Sequence, residues 1–413
     1  MDKEVKEILY NAENSLREQF RKTDETAEIC TEKILKSMRN RRLSDAHFAE
    51  TTGYGYNDIG RDTIEKIYAD VFGAESALVR AQIISGTHAL STALFGNLRH
   101  GDELLYISGE PYDTLKGVIG ITPTKNSLAE HGVTYRQAEL LANGEFDREG
   151  IGALISEKTK VVGIQRSKGY SFRKSLFVSE IDEIVGYVKS IRKDIICMVD
   201  NCYGEFTDII EPCADLVVGS LIKNAGGGLA PVGGYIAGNA ECVANAADCL
   251  TAPGLGAEIG ANMGVVKSFA QGLFVAPAVV AAALKGAMLT AKVFETLGYE
   301  VSPKPRENRA DIVQAIKFGN RDALISFCKG IQEASPVDSF AEAEPAPMPG
   351  YVHDVIMAAG TFVSGASIEL SADAPIREPY IAYVQGGLTF SHCKIGLASA
   401  LCRLKKDGLY GRL

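Results

Sequence analysis

The chain has 413 residues, 46% of them hydrophobic and 23% charged, enough for two or three domains around sizeable cores. A net charge of -9 argues against nucleic acid or an anionic membrane as the main partner. Nine cysteines, an odd number without a CxxC pair, and six isolated histidines predict neither a fully paired disulfide framework nor a metal site, and fit a reducing cytoplasm.

The opening MDKEVKEILYNAENSL is charged and amphipathic and lacks the apolar core of a secretory leader. Residues 1–40 are predicted as one helix with Val5, Ile8, Leu9 and Leu16 on its apolar side, followed by a Gly/Thr/Tyr-rich loop at 51–60. A helix over 61–72 carries Ile64, Ile67, Tyr68 and Val71 on one face. Strands are then predicted at 76–83, 103–108, 134–140, 160–165, 194–201 and 215–222, with helices at 87–98 and 179–193, the latter with Ser179 as N-cap. Near-continuous Val/Ile strands separated by helices predict an α/β fold, a mostly parallel sheet covered on both faces. The most apolar run, Phe274–Thr290, is interrupted by Pro277 and Lys285 and is short for a bilayer span, so it reads as part of a buried helix over 276–297. Residues 335–350 hold four prolines and predict an extended loop. TFVSGASIELS then supplies a strand, and LTFSHCKIGLASAL a helix, to a smaller α+β domain. The expected division is 1–60 (helix and interface loop), 61–290 (large α/β domain) and 291–413 (small domain).

Four features carry chemistry together. In SLIKNAGGGLAPVGGYIAG, Lys223 ends a strand and enters a glycine run. Desolvation there favours the neutral amine that attacks an aldehyde, and glycines let the backbone approach a flat ligand; a surface lysine before a flexible loop is an equal reading. In MVDN, Asp200 ends a buried strand, where a carboxylate suits a pyridinium N–H, a helix N-terminus or a metal. In ISGTHALSTAL, small residues open a helix, which suits a phosphate or simply an N-cap at Ser85 or Thr87. In GEPYDTLKG, Tyr112 follows a strand end and is either a stacking ring or a rim tyrosine.

The order SGTHA, PYDTL, VDN, SLIKNAGGG, with TTGYGYNDIGRDTIEKIYADVFGAE upstream, resembles the γ-family of pyridoxal 5′-phosphate (PLP) enzymes of cysteine and methionine metabolism. More closely, the chain is similar to the aluminium-resistance or methionine γ-lyase-like proteins from about residue 40 onward. The resemblance implies a PLP-dependent transferase fold of type I (aspartate-aminotransferase-like), a carbon–sulfur lyase, an amino-acid substrate, and a homodimer or homotetramer with shared active sites. By the same resemblance Lys223 carries the cofactor, Asp200 meets the pyridine nitrogen and Tyr112 stacks on the ring. Gly86, Thr87 and Ser220 bind phosphate, and Tyr54 reaches a neighbour's phosphate. The chain departs from the family at Tyr56, where an arginine is usual, at Ile222, usually threonine, and at His392, where the carboxylate-binding arginine would sit. Arg377 is the replacement candidate for the substrate carboxylate, with a surface arginine as the equal alternative. An aldolase, aminotransferase or decarboxylase on the same fold, or a non-catalytic nucleotide- or PLP-binding module, are the other readings.

Overall fold

The computed structural model describes residues 2–411. The N-terminal segment forms two helices, α1 (Lys3–Ser15) and α2 (Arg17–Asn40), rather than the single helix expected. The reason is packing. Val5, Leu9 and Ala12 of α1 join one core with Leu289 and Phe294, whereas Cys30 and Ile34 of α2 join another with Ile64 and Phe269. Two cores in different directions require the bend, which falls at buried Leu16.

The large layer follows as α3 (Ile59–Phe72), β1 (Ser76–Arg80), α4 (Gly86–Asn97), β2 (Glu103–Tyr106), α5 (Asp113–Ile119), β3 (Thr134–Gln137), α6 (Arg148–Leu154), β4 (Thr159–Gln165), α7 (Val178–Ile191), β5 (Ile196–Asp200), β6 (Leu216–Ser220), β7 (Gly234–Gly238) and α8 (Ala240–Leu250). The long α9 (Val266–Thr296) runs past residue 290 without a break. The small layer contains β8 (Glu300–Ser302), β9 (Gln314–Lys317), α10 (Arg321–Gln332), β10 (Val355–Ala358), β11 (Ser371–Pro375), β12 (Ile381–Gln385) and α11 (Phe390–Lys406).

The large sheet has seven strands in the order β1-β7-β6-β5-β4-β2-β3, and only β7 runs antiparallel to its neighbours. Successive residues alternate between faces, as a strand demands. Leu216 and Val218 pack with α4 and α8, while Val217 packs with α3 and α9. The smaller sheet is antiparallel, in the order β10-β11-β12-β9-β8. The apolar α9 is mostly buried within the fold.

Two local expectations are corrected, and one strand was not expected. Ser179 is not the N-cap of α7: the helix begins at Val178, and the Glu180 carboxylate accepts from Phe177 N at 2.9 Å. TFVSGASIELS is not a strand. The Glu369 carboxylate accepts from Phe362 N and Val363 N at 2.9 and 3.0 Å, folding the segment on itself, so β11 starts only at Ser371. β7 had no counterpart in the pattern because its glycines and short apolar run resemble a loop.

Candidate active site

Parallel strands end together at one edge of a sheet, and that edge is where open α/β folds bind ligands. Here β5 delivers Asp200 and β6 delivers Ser220, with Lys223 three residues beyond, while the start of α4 brings Gly86 and Thr87 and the start of α5 brings Tyr112. These six residues line one cavity of about 180 Å³, with Ser85, Thr114, Gln165, Ser167, Cys202, Tyr203 and Ile222 among the others.

The α4 end of the cavity suits an anion. Ser85 caps the helix through His88 N at 3.0 Å, and the first N–H groups of a helix have no intrahelical acceptor. A Cβ at Gly86 would only touch Cys202 and Ser220 at 3.4 Å, so protein packing alone does not demand glycine there. Thr87 and Thr114 share a hydroxyl hydrogen bond of 2.6 Å.

At the other end Lys223 is half-buried in the cavity wall, its ammonium 4.2 Å from the centre of the Tyr203 ring. Burial pulls its pKa down, but the fields of Cys202, Tyr203, Asp200 and Glu205 outweigh this and push it above the ordinary lysine range. The shift runs opposite to the lowering that desolvation alone would give. Burial pushes the Asp200 carboxyl up, opposed by Lys223 and by Cys202 N, which donates to Oδ1 at 3.1 Å. Burial keeps the Tyr112 phenol protonated far above its usual range, and its hydroxyl meets Tyr351 Oη at 2.7 Å.

The glycine run does not face the cavity. A Cβ at Gly226 would strike Leu221 O, one at Gly227 would strike Gly272 O of α9, and one at Gly228 would strike the Leu388 side chain. The expectation that these glycines approach a flat ligand is thus corrected: Gly227 lets the Lys223 turn dock on α9, while Gly226 closes on the turn itself and Gly228 on Leu388.

Two predicted residues lie elsewhere. Tyr54 is 71% exposed, stacks on Tyr56 at 5.7 Å and does not enter this chain's cavity. Its loop is pinned by Arg61, which donates to Gly55 O at 2.8 Å. Arg377 is exposed, donates to Tyr170 O at 3.2 Å, and borders an adjoining cavity that shares Tyr112, Gln165 and Gly169 with the first. His392 bonds Ala334 O at 2.9 Å and is absent from either lining. The sequence reading missed Tyr203, Cys202 and Gln165; all sit at or just past strand ends, the signal that singled out Asp200.

Beneath the cavity lies a buried polar network. Tyr235 Oη donates to Glu205 at 2.7 Å, and Asn201 Nδ2 donates to Glu211 at 2.9 Å and to Tyr235 Oη at 3.3 Å. Arg166 Nη1 donates to Asn201 Oδ1 at 2.7 Å. Among the described residues, no three His, Cys, Asp or Glu side chains group to hold a metal ion.

The methionine gamma-lyase family description matches residues 5–405. A Bacillus subtilis (strain 168) protein, YnbB, itself called uncharacterized, is 53% identical over 382 residues, 91% of each chain. A crystal structure named as a carbon-sulfur lyase involved in aluminum resistance, from Clostridium novyi NT, is 52% identical with a TM-score of 0.94, covering 98% of this chain and 96% of that one. The cystathionine gamma synthase of Xanthomonas oryzae pv. oryzae is 15% identical with a TM-score of 0.59 over 84% of this chain and 86% of its own, a likeness of fold. The fold is that of the type I PLP-dependent enzymes. With the whole span from α1 to α11 matched, the chain belongs to the methionine gamma-lyase family.

Proposed function

We propose that this chain binds PLP through Lys223 and acts as a carbon–sulfur lyase on a sulfur amino acid, by elimination of the methionine γ-lyase or cystathionine β-lyase type. The observation that carries the reading is the meeting of Lys223, Asp200 and Tyr112 around the cavity that also opens on the start of α4. The residues fit the cofactor. Gly86 leaves room that the protein does not fill, and Gln165 Oε1 is a buried acceptor without a partner among the described residues.

Gly86, Thr87 and Ser220 would hold the phosphate, Asp200 the pyridine nitrogen, and Tyr112 the ring face. Bound there, the cofactor supplies an electron sink for charge developing at the substrate Cα. Asp200, once committed to the ring nitrogen, no longer serves as a counter-charge for Lys223, so the amine is freed to take the Cα proton. Tyr112 keeps its proton at Oη, where a departing thiolate would collect it. Arg377 is assigned to the carboxylate end of the substrate, and Tyr54 to a neighbouring copy's phosphate in a homodimer or homotetramer. The nine free thiols suit a cytoplasmic setting.

The test is incubation of the purified protein with L-methionine and L-cystathionine, scored for keto acid and free thiol. Release of both supports the reading. Amino-group exchange, carbon dioxide release or aldehyde release, each without thiol, would replace it by an aminotransferase, a decarboxylase or an aldolase.

A further inference from the structure

The cavity adjoining the first across Tyr112, Gln165 and Gly169 has an unusual charge pattern. It is lined by Lys116, Lys168, Arg173 and Arg377 and by Glu110, Asp113 and Glu139. Lys116 already pairs with both Glu110 and Asp113 at 2.9 Å, and Gln137 donates to Glu139 at 2.5 Å. The other three cations meet only carbonyl oxygens. Lys168 Nζ donates to Ser302 O at 3.0 Å, and Arg377 donates to Tyr170 O. Arg173 donates to Lys174 O at 2.8 Å and, through Nη2, to Gln165 O at 2.9 Å and Ser167 O at 2.6 Å. Among the described residues, none of the three has a carboxylate within ion-pair distance.

Arg173 stands out. Gln165 and Ser167, whose carbonyls it grips, both line the cofactor cavity, so its guanidinium lies directly behind that wall. Burial pushes its pKa down to about 10 against the weaker pull of buried Asp311, and its hydrogen bonds among the described residues leave from Nη1 and Nη2, not Nε. A partly desolvated guanidinium with spare N–H donors at Nε and Nη1 and no carboxylate in ion-pair distance is a place for a carboxylate, held by charge-assisted hydrogen bonds.

Resting on the PLP-lyase reading, we propose that Arg173 binds the substrate's α-carboxylate, with Arg377 at the rim. This fills the role left open by His392. Arg173 is a specificity-determining residue that orients the amino acid without touching the bond that breaks.

Because the natural substrate is undetermined, the test uses two probes that react with any lysine-bound PLP: aminooxyacetate, which has a carboxylate, and methoxyamine, which lacks one. Their apparent affinities are read from the cofactor's visible absorbance in the wild type and in Arg173→Gln, which keeps amide donors for the carbonyls but loses the charge. Arg173→Lys, which keeps the charge, guards against a misfolded variant, and Arg377→Ala probes the rim. The expected result is that Arg173→Gln lowers the preference for aminooxyacetate over methoxyamine by about tenfold or more, the worth of a charged hydrogen bond, with methoxyamine binding retained and Arg173→Lys intermediate. An unchanged preference in Arg173→Gln, whether or not Arg377→Ala abolishes it, overturns the proposal. If neither probe alters the absorbance of the wild type, the PLP reading itself has failed, a separable outcome.

Discussion

Replacing Gly227 by Ala tests how the lysine turn is held. Gly227 has φ +56°, and a Cβ there would run into Gly272 O while lying 2.9 Å from Val275 Cγ2 and 3.1 Å from Ala276 N. Two of these three atoms belong to the backbone of α9, which cannot rotate away. The left-handed backbone costs a non-glycine residue about 1–2 kcal/mol, and forcing a methyl into a closed contact adds about 1–3 kcal/mol, so a loss of about 2–5 kcal/mol is expected. Gly73 is the control: it has φ +68° with nothing within 4 Å of its Cβ, so Gly73→Ala is expected to lose only the backbone part, about 1 kcal/mol. Urea unfolding of both variants, followed by circular dichroism, measures the difference. Cofactor content reports the consequence, since the Gly227 collision pushes on the turn that begins at Lys223. Equal stability of the two variants would refute the claim that Gly227 serves docking on α9.

The remaining predictions concern the buried groups around the site. Tyr235→Phe removes the donor to Glu205 and an acceptor of Asn201, and is expected to cost about 1–3 kcal/mol in urea unfolding, because Glu205 Oε2 is already without a partner. Burial raises the Glu205 carboxyl from 4.5 to about 8, so the native state keeps a proton that the unfolded chain gives up above pH 4.5. That contribution is complete below pH 4.5 and is lost as pH rises through 8. Glu205→Gln is therefore expected to flatten the fall in Tm between pH 4.5 and 8, as measured by thermal unfolding across the range. Asp200→Asn removes the carboxylate expected at the ring nitrogen and is expected to weaken turnover by about 10- to 100-fold, read as kcat on the best substrate found.

Much of the large layer was legible because its strands are buried on both faces and so write unbroken apolar runs, as in Ile196–Asp200 and Leu216–Ser220. Lys223, Asp200, Tyr112, Gly86 and Thr87 were singled out for a related reason: strand ends and helix starts are marked locally, and parallel topology brings them to one cavity, together with Ser220, which only the resemblance named. What local pattern does not encode is which neighbour a residue meets. The break at Leu16 depends on two cores formed by α9 and the small layer, and the role of Gly227 depends on Gly272, far along the chain. The upward pull on the Lys223 pKa likewise comes from Cys202, Tyr203, Asp200 and Glu205, which only the fold brings near it. Arg173 was overlooked because nothing in RSKGYSFRKS marks an arginine that ends up behind the cofactor wall.

The central claim is that Lys223 carries the cofactor. The most direct measurement is borohydride reduction of the purified, PLP-loaded protein, followed by proteolysis and mass spectrometry. The mass of the reduced cofactor on the peptide containing Lys223, and its disappearance together with the visible band in Lys223→Ala, is the predicted result. A label on another lysine, or a band that survives unchanged in Lys223→Ala, would contradict it.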